Sequence, residues 1–162
     1  LTKPSDILNK TSELVIDTFR RDENQGEIND GMDIALCSID FKKKQLQYSG
    51  ANNPLYLFRE GELIEVKANK RSVGASYRKE NFINHIVNLN KDDCVYTFSD
   101  GYADQFGGPK GKKFMLKRFR KLLLSINDLS MEDQHQKIKE EFYTWKGDIF
   151  QIDDVCVIGV KI

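Results

Sequence analysis

Cys94-Val95-Tyr96-Thr97-Phe98-Ser99-Asp100-Gly101 is a run of β-favouring residues that breaks abruptly at Ser-Asp-Gly. The first part reads as a buried strand. The break puts the Asp100 carboxylate at the strand's end, and Gly101 lets the backbone turn sharply behind it. A second acidic element, Asp153-Asp154, stands before another apolar run, Val155 to Ile162. That run is apolar enough to predict a central strand of a sheet. Carboxylates at strand ends, on rigid neighbours, suit a hard cation such as magnesium or manganese, which takes oxygen ligands. Far apart in sequence, the two elements point to such a site if the fold brings them together. Read singly, each is also an ordinary solvated turn.

Outward from these elements the chain alternates between two periodicities. Ile7, Leu8, Val15, Ile16 and Phe19 recur at helical spacing behind Pro4, and Ser5 is placed as the N-cap of a helix ending near Arg20. The polar stretch from Arg21 to Gly31 reads as a loop. Strands are then predicted over Met32 to Asp40, Leu46 to Ala51, Leu55 to Arg59 and Leu63 to Val66, joined by turn sequences such as Asn52-Asn53-Pro54 and Glu60-Gly61. Lys67 to Lys79 reads as a connector and Asn81 to Leu89 as a further strand. Past Gly101, Gly107-Gly108-Pro109-Lys110-Gly111 reads as a loop. Phe114 to Ser125 reads as a helix with Met115, Phe119, Leu122 and Leu123 inward. Ser130 caps a second helix with Asp133 at the capping-box position, Met131, Ile138, Phe142 and Trp145 share its inner face, and Gly147 stops it. Closely spaced strands favour an antiparallel meander. Helix, strands, two helices and a last strand make the class α+β.

Composition sets the outer limits. The chain has 162 residues, 40% apolar and 31% charged, which is one ordinary domain's worth of globular sequence. Twenty-five basic residues against 25 acidic ones leave no net charge, which gives no case for nucleic-acid binding. No apolar run approaches a membrane span, and no signal-peptide pattern opens the chain. Cys37, Cys94 and Cys156 are odd in number and lack zinc or redox spacing. Each lies in an apolar run, so all three are expected to be buried thiols in a reducing compartment, consistent with a cytoplasmic location. His85 and His135 are isolated and carry no ligand role.

The segment from Val95 to Asp104 resembles the Ser-Asp-Gly motif of the PPM-type metal-dependent serine/threonine phosphatases. Asp153-Asp154-Val155-Cys156-Val157 resembles their closing Asp-Asp/Asn motif. Ser49-Gly50-Ala51-Asn52-Asn53-Pro54 is similar to the Gly-His-Asn-Pro element of the SpoIIE/RsbU branch, with Ala51-Asn52 where that element has Gly-His, and Asp30-Gly31-Met32 through Asp40 also resembles that branch. The resemblance implies a layered α-β-β-α sandwich of antiparallel sheets flanked by helices. It implies metal ligation by Asp100 and Asp153, catalysis through a metal-bound water rather than a side chain, a more weakly bound third ion at Asp104, and orientation of the site by Gly101 and Asp154. The cofactor implied is Mn2+ or Mg2+ in a two-metal site.

Two further family elements, a strand ending in a metal-bridging Asp and an Asp-Gly-His-Gly-like turn, have no match here. The expectation is one phosphatase-like domain over residues 1–162, truncated at its N-terminus and lacking its N-terminal strands. The two-metal site would then be incomplete, activity weak or absent, and a sheet edge exposed to self-association. The substrate implied is phosphoserine or phosphothreonine on a bacterial regulator of the anti-sigma-factor-antagonist type, in a partner-switching pathway with an upstream sensor region. The other class of function is a non-catalytic phosphatase-like module that binds a regulatory partner.

Three further features have a functional and a plain reading. Lys110, Lys112, Lys113, Lys117, Arg118, Arg120 and Lys121 form either a docking face for an acidic or phosphorylated partner or a solvated face. Gly107-Gly108 would allow the loop there to act as a mobile flap. Arg71 either meets a phosphate or lies at the surface.

Overall fold

The computed structural model describes residues 2–20, 31–74 and 80–162. The chain forms two compact units, one of residues 1–55 and 66–90 and the other of 56–65 and 91–162. Helices and antiparallel sheets in both bear out the α+β class. The polar loop from Arg21 lies outside the described residues except for Gly31, and so does the end of the connector, residues 75–79.

In the first unit, helix α1 (Pro4–Arg20) accompanies a three-stranded sheet of β1 (Ile34–Asp40), β2 (Gln45–Ala51) and β5 (His85–Asn88), in the order β1-β2-β5. β1 and β2 pair antiparallel from Ile34↔Ala51 to Asp40↔Gln45. The helix starts two residues earlier than predicted. Lys3 O accepts from the N–H groups of Asp6 and Ile7, so Ser5 lies inside the helix, buried, and is not its cap. The inner face carries Leu8 but also Ser5 and Ser12, a polar content that apolar periodicity does not reveal. Ser12 Oγ accepts from Arg71 Nη2 at 3.0 Å and from the Gly74 N–H at 3.2 Å, and Asn9 Oδ1 accepts from the Phe82 N–H at 2.9 Å. Arg71 also covers the Phe82 ring at 4.3 Å, so it braces the connector. Asn52 takes the left-handed conformation, with φ 58°, and its side chain donates to Asp33 Oδ1 at 2.8 Å and Ser72 Oγ at 3.2 Å. The predicted strand over Asn81 to Leu89 shortens to four residues because the Phe82 and Ile83 N–H groups are taken by side chains, Ile83's by Asn69 Oδ1 at 2.9 Å.

In the second unit, β3 (Leu55–Arg59), β4 (Glu62–Val66), β6 (Cys94–Phe98) and β9 (Val157–Lys161) form a sheet in the order β4-β3-β6-β9. Three helices, α2 (Gly101–Asp104), α3 (Leu116–Ser125) and α4 (Met131–Lys146), belong to the same unit, with a short ribbon of β7 (Phe106–Gly107) and β8 (Lys112–Lys113). Its core is aromatic: Tyr56, Phe58, Tyr96, Phe98, Tyr102, Phe114, Phe119 and Phe142 pack in one cluster, with Met131 and Trp145 against it. The Tyr102 ring lies 4.5 Å from Phe119 and 5.1 Å from Phe142, within the range where offset and tilted pairs attract. Arg59 clamps this unit, its Nε and Nη2 donating to the two carboxylate oxygens of buried Asp93 at 3.0 and 2.7 Å. As predicted, Ser130 caps α4 by accepting from the Asp133 N–H at 3.1 Å, and Gly147 ends it at φ 53°.

Several expectations are corrected. Met115 is 58% exposed rather than inward; it precedes α3 at φ 74°, and the chain there turns Phe114 into the core instead. β9 lies at an edge of its sheet among the described residues, not at its centre. Val155 and Val157 pack on the aromatic core while the alternate residues Cys156 and Ile158 face outward, Ile158 being 57% exposed. Of the thiols, Cys94 is buried, Cys37 half-buried and Cys156 exposed for that same reason of alternation.

Candidate functional site

The two acidic elements lie in the second unit, at neighbouring ends of paired strands. β6 and β9 run antiparallel with Phe98 opposite Val157, so Ser99 leaves one strand where Cys156 enters the other. Ser99 joins them. Its N–H donates to Cys156 O at 3.0 Å, its hydroxyl donates to Asp154 O at 2.8 Å, and the same hydroxyl oxygen accepts from the Cys156 N–H at 3.0 Å.

Gly101 adds a second constraint. A methyl group at this position would stand 2.4 Å from Asp154 O and 3.4 Å from Asp153 Cβ. Its backbone is the first turn of α2, not a sharp left-handed turn, so the predicted reason for the glycine changes. What the position needs is absence of a side chain, so that the Asp100-Gly101 and Asp153-Asp154 backbones can touch. α2 itself was not legible in the sequence, being a single turn.

The carboxylates differ in what they already do. Asp100 is exposed at the N-cap position of α2, yet its side chain makes no capping bond. Aspartate is among the preferred N-caps, so a carboxylate held there without capping is available to another ligand. Asp153 Oδ1 accepts from the Asp154 N–H at 2.7 Å, and Asp153 O accepts from Gln151 Nε2 at 2.8 Å. The stretch Gln151 to Asp154 lines an open surface depression. Asp104 ends α2 and its Oδ2 accepts from Lys113 Nζ at 2.8 Å. Among the described residues, no group of three or more His, Cys, Asp or Glu side chains is gathered closely enough to hold a metal. What the fold brings side by side are the Asp100-Gly101 and Asp153-Asp154 segments, whose carboxylates are hard oxygen donors of the kind a magnesium or manganese ion takes.

The basic cluster resolves into separate roles. Arg118 lies 4.2 Å from the Trp145 ring and 3.4 Å from Glu141, and Arg120 donates to Tyr56 Oη at 2.7 Å and to Glu65 Oε2 at 2.8 Å. Lys110, Lys112, Lys117 and Lys121 are exposed. The glycines of the loop allow close packing: Gly108 N–H donates to Trp145 O at 2.8 Å, and a methyl group on Gly107 would overlap that carbonyl at 1.8 Å.

The model of the family described as Stage II sporulation protein E (SpoIIE) matches residues 1–162. The chain belongs to the SpoIIE family. Its fold is that of PP2C phosphatase domains. The SiaA-PP2C domain of Pseudomonas aeruginosa superposes with a TM-score of 0.85 at 25% identity, over 99% of this SpoIIE-family chain and 61% of that one. The chain thus spans less than two thirds of that domain's length. A structure of the PP2C phosphatase domain of Bacillus subtilis SpoIIE with a fragment of its regulatory domain matches with a TM-score of 0.64 at 16% identity, covering 97% of this chain and 49% of that one. A Mn-presoaked structure of the Bacillus subtilis SpoIIE phosphatase domain matches with a TM-score of 0.56 at 17% identity, over 97% and 72% of the two chains. No curated protein matches the chain. No helix among the described residues is long and apolar enough to cross a membrane.

Proposed function

We propose that this chain contributes the Asp100/Asp153 half of the active site of a metal-dependent protein serine/threonine phosphatase. The observation that carries the reading is the junction of the two acidic elements through Ser99 and Gly101. A fold can tie two strand ends together without placing an exposed Asp beside each tie; here both ends have one, Asp100 and Asp153. Asp100 and Asp153 would hold Mn2+ or Mg2+, and the Mn-presoaked relative supports manganese as the first ion to try. A divalent ion in such a site lowers the pKa of water and offsets charge on phosphoryl oxygens. The protein's part is positioning. Ser99 fixes the Asp154 carbonyl, Asp154's N–H holds one oxygen of Asp153, and the other oxygen is left for the ion. The substrate read from the family resemblance is phosphoserine or phosphothreonine on a cytoplasmic regulator of the anti-sigma-factor-antagonist type, with an upstream sensor region controlling the reaction.

The second reading, a phosphatase-like module that binds a regulator without turnover, is favoured by the lack of a three-ligand group among the described residues. Manganese-dependent release of phosphate from p-nitrophenyl phosphate, compared with Asp100→Asn, separates the two. Activity that disappears in the variant supports the phosphatase. Activity equal in both, or absent both here and in an N-terminally extended chain, supports the module.

A further inference from the structure

Gln105 closes α2 and is fully buried. Its side-chain Nε2 donates to Phe106 O at 2.9 Å and to Phe150 O at 3.0 Å. Its backbone N–H donates to Gly101 O at 3.1 Å, and its carbonyl accepts from the Phe114 N–H at 2.9 Å and from Trp145 Nε1 at 3.1 Å. Of the two polar atoms of the side-chain amide, the nitrogen alone can donate to carbonyls, so the side chain is oriented by them. Its Oε1 is left buried, with no hydrogen-bond partner among the described residues. An apolar side chain of similar size would fill the space without that cost. The two carbonyls that the amide holds, rather than packing, account for a glutamine here.

Those carbonyls join the two acidic segments from the far side of the strand-end junction. Residues 99–105 and 150–156 run past each other in opposite directions. At one end Ser99 holds Asp154 O and the Cys156 N–H. In the middle Gly101 lies against the Asp154 backbone. At the other end Gln105 holds Phe150 O. Asp100 and Asp153 both stand between the two ends of this frame, and so does the depression lined by Gln151 to Asp154. Ser99 thus secures the segment on one side of Asp153 and Gln105 secures it on the other.

We infer that Gln105 is a positioning residue, whose buried amide closes this frame and holds the segment carrying Asp153 against the turn carrying Asp100. Its action runs through the Phe150 backbone and not through contact with an ion or a substrate. The inference rests on the Asp100/Asp153 metal reading for its functional meaning, while the frame itself is testable without metal.

The test compares the 162-residue chain with Gln105→Met, which keeps the side chain's length and removes the amide, and with Gln134→Met as control. Gln134 is equally buried in the same unit, but its amide nitrogen holds Asn127 O and Leu129 O, outside both segments of the frame. Thermal melting followed by circular dichroism sets a temperature at which all three chains are folded. Hydrogen–deuterium exchange without metal, read on peptides covering 150–156, is expected to be about tenfold faster in Gln105→Met, the factor that two neutral hydrogen bonds supply together. It is expected to be unchanged in Gln134→Met. Manganese titration followed by electron paramagnetic resonance is expected to show about tenfold weaker binding in Gln105→Met, as for other residues that orient a metal ligand, and unaltered binding in Gln134→Met. Equal exchange over 150–156 in Gln105→Met and the unsubstituted chain would overturn the inference, as would the same acceleration in Gln134→Met. Faster exchange with unaltered Mn2+ affinity would overturn the positioning role. Asp100→Asn in the same titration reports separately on the metal reading: if Mn2+ binding does not fall in that variant, that reading fails and the exchange comparison alone decides the frame.

Discussion

Ser99 and Asp154 are joined by a hydroxyl-to-carbonyl hydrogen bond of 2.8 Å across 55 positions of sequence. One hydroxyl both donates to Asp154 O and accepts from the Cys156 N–H, so it satisfies two backbone groups where two strands part. Ser99→Ala should destabilise the chain by about 1–2 kcal/mol, because both backbone groups lose a partner but can still reach water. Urea unfolding checks this. An unchanged midpoint would show that the hydroxyl does not hold the junction in solution.

Gly101→Ala should be more damaging than the usual helix preference for alanine suggests. Within a helix alanine normally stabilises relative to glycine by up to about 1 kcal/mol. Here the added methyl would sit 2.4 Å from the Asp154 carbonyl oxygen, which is backbone and cannot rotate away. A net loss of roughly 1–3 kcal/mol follows from forced displacement. It should be accompanied by weaker Mn2+ binding, read by calorimetry, because the displaced segment carries Asp153. A stabilised variant would contradict the close approach.

The Arg59–Asp93 pair is the most buried ion pair described in the second unit, with Asp93 1% exposed. Removing one partner leaves the other's charge buried. Arg59→Met alone should cost about 3–5 kcal/mol, whereas Arg59→Met with Asp93→Leu should recover much of that loss. A double-mutant cycle in urea measures the coupling, and additive losses would show that the two groups do not depend on each other.

Burial pushes the Cys37 thiol up to about 11, and burial raises that of Cys94 as well. Raised thiol pKa values mean that both are protonated and slow toward electrophiles at pH 8, since only the thiolate reacts. Cys156 is exposed and should react first with a disulfide reagent, with one thiol per chain modified before the rest. The Cys37 contribution to stability is full below about pH 9 and declines as pH rises toward 11, because the unfolded thiol ionises first. Reaction of all three thiols at one rate in the folded chain would refute this ordering.

Ile158 points outward from the edge strand β9, 57% exposed. An apolar edge strand invites pairing with another chain, and an outward charge discourages it. Ile158→Lys should reduce concentration-dependent association in sedimentation velocity. Identical profiles for the two chains would locate any association elsewhere.

The strands from Ile34 to Arg59, β6, the cap of α4 and its stop at Gly147 were legible because each rests on local physics: side-chain alternation, turn chemistry and end-capping. The family resemblance was legible because the Ser-Asp-Gly and Asp-Asp elements occur in the family's order, and the family match covers residues 1–162. Other features depend on neighbours distant in sequence. The apolar residues of β9 look the same whether the strand is central or at an edge, and only pairing decides it. Ser5 and Ser12 look like solvent-facing residues until the hydrogen-bonding segments that meet α1 are known. The sequence by itself determined which residues have the chemistry for a metal site, since ligand type is a property of each side chain. The tertiary structure alone decided which carboxylate has a partner. The ribbon that carries Lys113 is positioned by backbone hydrogen bonds, and those give Asp104 an ammonium while Asp100 stays uncapped.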